Sequence, residues 1–234
     1  MMGPAMVVTA LIMAGGTGER FKGGVPKQLA PINGRAMIAW STRVLAESPR
    51  IDALIVVTAA GTEKEVRASL PAEAVGKVRA VIAGGETRQE SAFNGLKGLP
   101  SETTHVLIHD AARPCLSGSL RDRVLDALAA HDAVVPAVPA TDTLIREEDG
   151  RVDAVLDRVY VSGVQTPQAF RADLILRAHR EAAARGFKSS DDGSLVLALK
   201  EPVFTVAGER TNIKVTFAED LRLAEVILQN GVAA

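Results

Sequence analysis

Residues 7–29 read VVTALIMAGGTGERFKGGVPKQL, an apolar run that passes directly into a glycine-rich, basic turn. Val7–Met13 has the length and β-branched content of a buried strand. The chain leaves it through glycines at 15, 16 and 18, where the missing Cβ lets backbone N–H groups approach a polyphosphate and point at its oxygens. Arg20 and Lys27 bring two positive charges to the same mouth. Arg20 can grip phosphate oxygens bidentately, whereas Lys27 acts as a compact point charge. Strand, turn and spaced cations together predict a nucleoside triphosphate site. Two familiar phosphate loops are excluded. No Gly-x-x-x-x-Gly-Lys-Ser/Thr string occurs, and Gly16-x-Gly18 is followed by Phe21 where a dinucleotide fingerprint needs glycine.

Outward from this loop, short apolar strands alternate with helical segments. Val7–Met13, Leu54–Thr58, Val78–Ala83, Val106–His109, Ala133–Ala137 and Val203–Ala207 read as strands. Helical stretches fall near Met37–Ala46, Glu63–Leu70, Gln89–Leu96, Leu120–Ala130, Ala172–Arg185, Ser194–Leu199 and Phe217–Gln229. Thr62-x-x-Glu65, Thr87-x-x-Glu90 and Thr216-x-x-Glu219 each fit a capping box. This alternation predicts an α/β fold, a mainly parallel sheet with helices on both faces. In such sheets ligands bind beyond the carboxyl ends of the strands, where the glycine loop lies.

Residues 138–164 break the alternation. Thr143–Ile145 and Val152–Val155 are strand-like and flank Glu147-Glu148-Asp149-Gly150, whose Asp-Gly is a hairpin turn signal. This predicts a protruding β-arm on a single domain spanning 1–234. A two-stranded arm is marginal alone in water, so it either packs on a partner subunit or folds back on its own domain.

The 234 residues are 47% hydrophobic and 24% charged, with net charge −1, an ordinary soluble composition. Near-neutral charge argues against a nucleic-acid footprint. Cys115 is the only cysteine, which excludes an internal disulfide and a thiolate metal cage. No stretch reads as a signal peptide or reaches membrane-spanning length, so the expectation is a cytoplasmic protein without a membrane partner.

Several other segments carry chemistry-bearing residues. Gly84–Ser91 is by itself a Gly-Gly turn and a capped helix; its amides and the Ser91 hydroxyl can also read a base or ribose. His109-Asp110-Ala111-Ala112-Arg113-Pro114 closes a strand. Asp110 there is placed to hold Mg²⁺, which prefers carboxylate and phosphate oxygens, and Arg113 adds an anion contact. Gln165-Thr166-Pro167-Gln168 clusters hydrogen-bonding groups around a proline. Ser189–Ser194 opens a helix, as an N-cap or a phosphate contact, and Asn212–Thr216 carries Lys214. No Gly-x-Ser-x-Gly elbow or His-Glu-x-x-His helix supports hydrolysis or zinc chemistry.

These pieces together resemble the 2-C-methyl-D-erythritol 4-phosphate cytidylyltransferase family over essentially the whole chain. The matching segments are Ala14–Lys27, Gly84–Ser91, His109–Pro114, Asp142-Thr143, Arg158, Gln165–Phe170, Ser190–Ser194 and Asn212–Thr216. The resemblance implies a Rossmann-like nucleotidyltransferase fold, a homodimer made by the β-arm, CTP and Mg²⁺ as ligands, and pyrophosphate as product. Arg20 and Lys27 match the catalytic pair. Ala14, Gly15, Gly16, Gly18, Gly85, Glu86, Ser91 and Ala111 match CTP-binding positions. Asp110, Arg113, Thr143, Arg158, Thr166, Ser190 and Lys214 match residues around the polyol phosphate acceptor and the metal, with Thr143 and Arg113 expected to cross between subunits. The chain departs from the family pattern in Ala14-Gly15-Gly16 for Ala-Ala-Gly, Glu86 for Asp, and Ser190 for Thr. No cyclase segment follows Ala234, so the resemblance is to the single-function form.

Two alternatives stand beside this reading. Ribitol 5-phosphate cytidylyltransferase shares the CTP loop and differs in its acceptor. A silent nucleotide sensor would use the same fold, but it would have no need of both Arg20 and Lys27. Small residues at Ala111 and Gly193 leave room for a branched carbon and favour methylerythritol phosphate.

Overall fold

The structure is a computed structural model, and it describes residues 6–16, 21 and 25–231. The chain opens with β1 (Val8–Ala14), a short hairpin β2 (Pro31–Ile32) and β3 (Arg35–Ala36), and helix α1 (Met37–Glu47). There follow β4 (Ala53–Thr58), α2 (Glu63–Ser69), β5 (Val78–Ala83), α3 (Arg88–Lys97), β6 (His105–Asp110), α4 (Gly118–Leu128) and β7 (Ala133–Pro139). The arm consists of β8 (Leu144–Glu148) and β9 (Arg151–Leu156); the chain re-enters the main sheet through β10 (Ser162–Val164) and β11 (Gln168–Arg171). The C-terminal part is α5 (Ala172–Arg185), α6 (Asp192–Ala198), β12 (Phe204–Ala207) and α7 (Asp220–Gln229).

Among the described residues one main sheet runs β5-β4-β1-β6-β11-β7, with β10 and β12 also paired to β7. Its pairs are parallel except those made by β10 and β11. Period-two alternation sorts the side chains of β1 onto two faces. Val8, Ala10, Ile12 and Ala14 pack with α1, α2 and α4, whereas Leu11 and Met13 pack with α3, α5 and α6. Both faces are dry, which explains why the strands read as unbroken apolar runs. Each fully buried Leu or Ile there contributes about 1.5–3 kcal/mol. A third cluster packs α7 on the β2–β3 hairpin and α1 through Ala224, Ile32 and Trp40.

Strand order decides where a ligand can enter. From β1 the chain moves outward to β4 and β5, then returns to β6 on the other side of β1. The carboxyl ends of β1 and β6 therefore form a topological switch point, with Met13 paired to Asp110 at its rim.

Several local expectations change. Pro31–Ala36, to which the sequence pattern assigns no element, forms a hairpin turned by Asn33 (φ 47°) and Gly34 (φ 75°). Thr62 does not cap α2; its hydroxyl donates to the Ala59 carbonyl instead. The Thr216 box fails as well, because α7 starts at Asp220, whose carboxylate accepts from the N–H groups of Thr216 and Phe217. Thr87 does cap α3, accepting from Glu90 N at 3.1 Å. The ends of the 138–164 segment belong to the main sheet, since Val138 and Pro139 pair with Gly163 and Ser162. Only the stretch between them projects, closed by Asp149 (φ 50°) and Gly150 (φ 74°).

Candidate active site

The switch point opens into a cavity of about 470 Å³, within the size of small-molecule sites. Met13, Ala14, Gly15 and Gly16 form one wall, Gly85–Arg88 and Ser91 a second, and Asp110–Ala112 a third; Lys27, Gln28, Met37, Lys214 and Thr216 close it. Of the residues expected to bind CTP, Ala14, Gly15, Gly16, Gly85, Glu86, Ser91 and Ala111 all line this space. Gly18 and Arg20 lie outside the described residues.

The second wall is built by close packing. A Cβ at Gly84 would stand 2.5 Å from Ser91 Oγ, and one at Gly85 would stand 2.5 Å from Glu90 Cβ. Ser91 Oγ accepts from Gly85 N at 3.0 Å, and Glu90 Oε2 accepts from Glu86 N at 2.9 Å. The N–H groups of Gly85 and Glu86 thus bond within the turn. Thr87 caps the helix that follows, and the turn shapes the cavity wall.

Asp110 stands at the centre of the charged wall. Its Oδ1 accepts from Arg88 Nε at 3.1 Å and its Oδ2 from Lys214 Nζ at 2.7 Å. Burial pushes the Asp110 carboxyl up, but the Arg88 guanidinium and Lys214 ammonium outweigh it and hold the group well below the usual carboxylate range. Lys214 reaches this position because Val215 N donates to the Ala112 carbonyl at 2.8 Å, which docks residues 212–216 on the strand-end segment. Lys27 Nζ donates to the Val215 carbonyl at 3.2 Å. Two lysines far apart in sequence thereby flank one mouth.

Behind the wall, Thr166 Oγ1 accepts from Asp110 N and lies 3.1 Å from His109 Nδ1. With the hydroxyl donating to Nδ1, the other ring nitrogen donates to the Arg113 carbonyl at 3.2 Å. That arrangement needs a neutral imidazole, and complete burial lowers the His109 pKa to about 4. Thr166 is buried and absent from the cavity lining, and it holds the Asp110 backbone from behind. Arg113 donates to the Asn212 and Val164 carbonyls.

Thr143, Arg158 and Ser190 are exposed and outside the lining. Thr143 precedes the first strand of the arm, and Arg158 donates to the Thr141 carbonyl at the arm's base. The arm projects, so a single chain does not bring Thr143 and Arg158 to the cavity. Sequence reasoning missed Arg88, which lines the cavity and also binds Asp192 through Nη1 at 2.8 Å. Its position opening α3 looked like an ordinary helix start, and no local signal marks a partner 104 residues away. Buried Gln28 was missed too.

A metal could use Asp110, which is ionised and supplies hard oxygen. Among the described residues no cluster of three His, Cys, Asp or Glu could cage an ion. This donor set fits only a cation that takes most ligands from phosphates and water, as Mg²⁺ does. Cys115 is buried and its thiol pushed up to about 12, so it is inert.

The family model for IspD, 2-C-methyl-D-erythritol 4-phosphate cytidylyltransferase, matches residues 8–230. The enzyme of that name from Shouchella clausii is 39% identical over 225 residues, covering 96% of this chain and 97% of its own. The crystal structure of 4-diphosphocytidyl-2C-methyl-D-erythritol synthase from Anaerococcus prevotii aligns with a TM-score of 0.85 at 33% identity, covering 96% of this chain and 99% of that one. The Thermus thermophilus cytidylyltransferase aligns at 0.77, also at 33% identity, over 94% and 98%. Motif, switch-point cavity and full-length similarity agree: this chain belongs to the 2-C-methyl-D-erythritol 4-phosphate cytidylyltransferase family.

Proposed function

We propose that this protein transfers CMP from CTP to 2-C-methyl-D-erythritol 4-phosphate, releasing pyrophosphate and forming 4-diphosphocytidyl-2-C-methyl-D-erythritol for isoprenoid biosynthesis. The observation that carries this is a switch-point cavity holding Lys27, Lys214, Arg88 and an ionised Asp110 in a chain of this family. The family model and the relatives bear the methylerythritol name, which favours that acceptor over ribitol 5-phosphate.

An acceptor phosphate oxygen attacks the α-phosphorus of CTP in line. The new P–O bond forms as the bond to the α,β-bridging oxygen breaks, and pyrophosphate leaves with that electron pair. A phosphate monoester, with a second pKa of about 6, is already ionised at pH 7, so no general base is required. Catalysis then rests on positioning and charge stabilisation. Lys27, with Arg20 from the same loop, neutralises charge growing on the triphosphate. Lys214 and Ser190 serve the acceptor, and Thr166 fixes the Asp110 backbone. Mg²⁺, held by Asp110 together with the nucleotide, would neutralise phosphate charge.

The active form in this reading is a homodimer in which each arm covers its partner and brings Thr143 and Arg158 toward the partner's acceptor site. Val159 and Tyr160 at the arm's base are 80% and 86% exposed, and Ile145, Val152 and Val155 are exposed on the hairpin. Such an apolar set on a two-stranded arm calls for a covering surface. No described helix is long and apolar enough to cross a membrane, in keeping with a cytoplasmic site of action. A pyrophosphate-release assay with CTP and each acceptor in parallel tests the assignment. Release is expected with methylerythritol phosphate, and faster release with ribitol 5-phosphate would overturn it.

A further inference from the structure

The first two residues of α3 reach across the cavity's rear to a distant segment. Arg88 Nη1 donates to Asp192 Oδ2 at 2.8 Å while its Nε holds Asp110 at 3.1 Å. Gln89 Nε2 donates to the Phe187 carbonyl at 3.0 Å, and its Oε1 accepts from Ser189 N at 2.9 Å. Residues 187–192, which lead into α6 and carry Ser190, are thus strapped to the turn that forms the cavity's second wall. Asp192 is buried, and His179 Nε2 donates to its second oxygen at 3.0 Å. Asp192 itself does not line the cavity. A planar guanidinium can hold two carboxylates in a fixed fork, which an ammonium cannot reproduce.

We infer that Arg88 is a positioning residue: through its bridge from Asp110 to buried Asp192 it sets the 187–192 segment against the nucleotide wall, so that acceptor use depends on a buried carboxylate outside the cavity lining. This rests on the cytidylyl-transfer reading above and deepens it. Outer partners that orient a site commonly affect activity about 10–100-fold.

Asp192→Asn keeps the side-chain size and removes the charge that faces Arg88. The expected result is an acceptor kcat/KM lowered roughly tenfold or more, with CTP affinity by calorimetry within about twofold of wild type. Arg88→Lys should show the same split, because it keeps the charge and loses the fork. Gln89→Ala, at a partly exposed position, provides a milder variant expected to move acceptor KM in the same direction. Thermal melts of all three, run beside the kinetics, separate a loss of folded protein from a change in its constants. A lowered melting temperature with both sets of constants unchanged would make the bridge merely structural and overturn the inference. So would an Arg88→Lys enzyme with wild-type acceptor constants. An active wild type with such variants refutes this inference alone, whereas an inactive wild type refutes the functional reading and the inference with it.

Discussion

Lys214 Nζ donates a 2.7 Å hydrogen bond to Asp110 Oδ2, joining residues 104 positions apart at the carboxyl edge of the sheet. The pair gives the cavity an anion with a cation on each side, since Arg88 takes the other oxygen. Both cations hold the Asp110 carboxyl below the usual carboxylate range, and both face the space where a phosphate would bind.

Lys214→Ala should therefore remove one of these two cations and damage acceptor use. The expected cost is about 10²–10³ in kcat/KM for the acceptor, the size of one lost electrostatic contact. CTP affinity by calorimetry should change little. An equal fall in CTP affinity would move Lys214 to the nucleotide.

Lys27→Ala should lower kcat by a similar factor of about 10²–10³, with Lys27→Arg also poor because a planar fork does not replace a point charge. Lys27 lines the cavity and donates to the Val215 carbonyl, so the arginine must also disturb the segment carrying Lys214. Single-turnover measurements with saturating CTP read the chemical step directly. Near-normal turnover in either variant would remove Lys27 from the catalytic pair.

The arm offers a test by mass. Deleting residues 146–153 removes most of the hairpin and leaves the main sheet intact, because its base is paired through Val138 and Gly163. Full-length protein should sediment as a dimer and the deletion as a monomer with CTP binding retained and turnover lost. A deletion variant that stays dimeric and active would leave the arm without this role.

His109 predicts an acid-side loss of stability. Its pKa falls from 6.5 to about 4 on folding because burial disfavours the charged ring. Below pH 6.5 the unfolded chain takes up a proton that the folded chain refuses, so stability present above pH 6.5 is lost as pH drops toward 4. Between pH 7 and 5 this amounts to about 2 kcal/mol. Denaturant melts of wild type and His109→Gln at both pH values should show a shallower decline in the variant, whatever its absolute stability. Parallel declines would place the titration elsewhere.

Much of the fold is legible locally. The apolar run before Gly15, the alternation of strands and helices, the Thr87 cap and the Asp149-Gly150 turn each act within a few residues, and each appears as expected. The antiparallel β10 and β11 were not legible. Gln168–Arg171 has no strand pattern of its own and becomes a strand by pairing with β6 and β7 on both edges. Thr216 and Thr62 misled for a local reason: their spacing fits a cap, but another partner three or four residues away captures the backbone N–H or the hydroxyl.

By itself the sequence determined the layer order of an α/β domain, because period-two and helical patterning are properties of neighbouring residues. It also determined the chemical inventory of the site: a glycine loop, two lysines, a strand-end aspartate and a hydroxyl behind a proline. Only the tertiary structure decided which of these meet. The return of β6 to the far side of β1 creates the switch point, the Val215–Ala112 bond carries Lys214 to Asp110, and Arg88 finds Asp192 because α3 and α6 share one face of the sheet. Such contacts join segments about a hundred residues apart, and their free energy depends on burial and on the neighbouring charges, neither of which exists until the sheet has assembled.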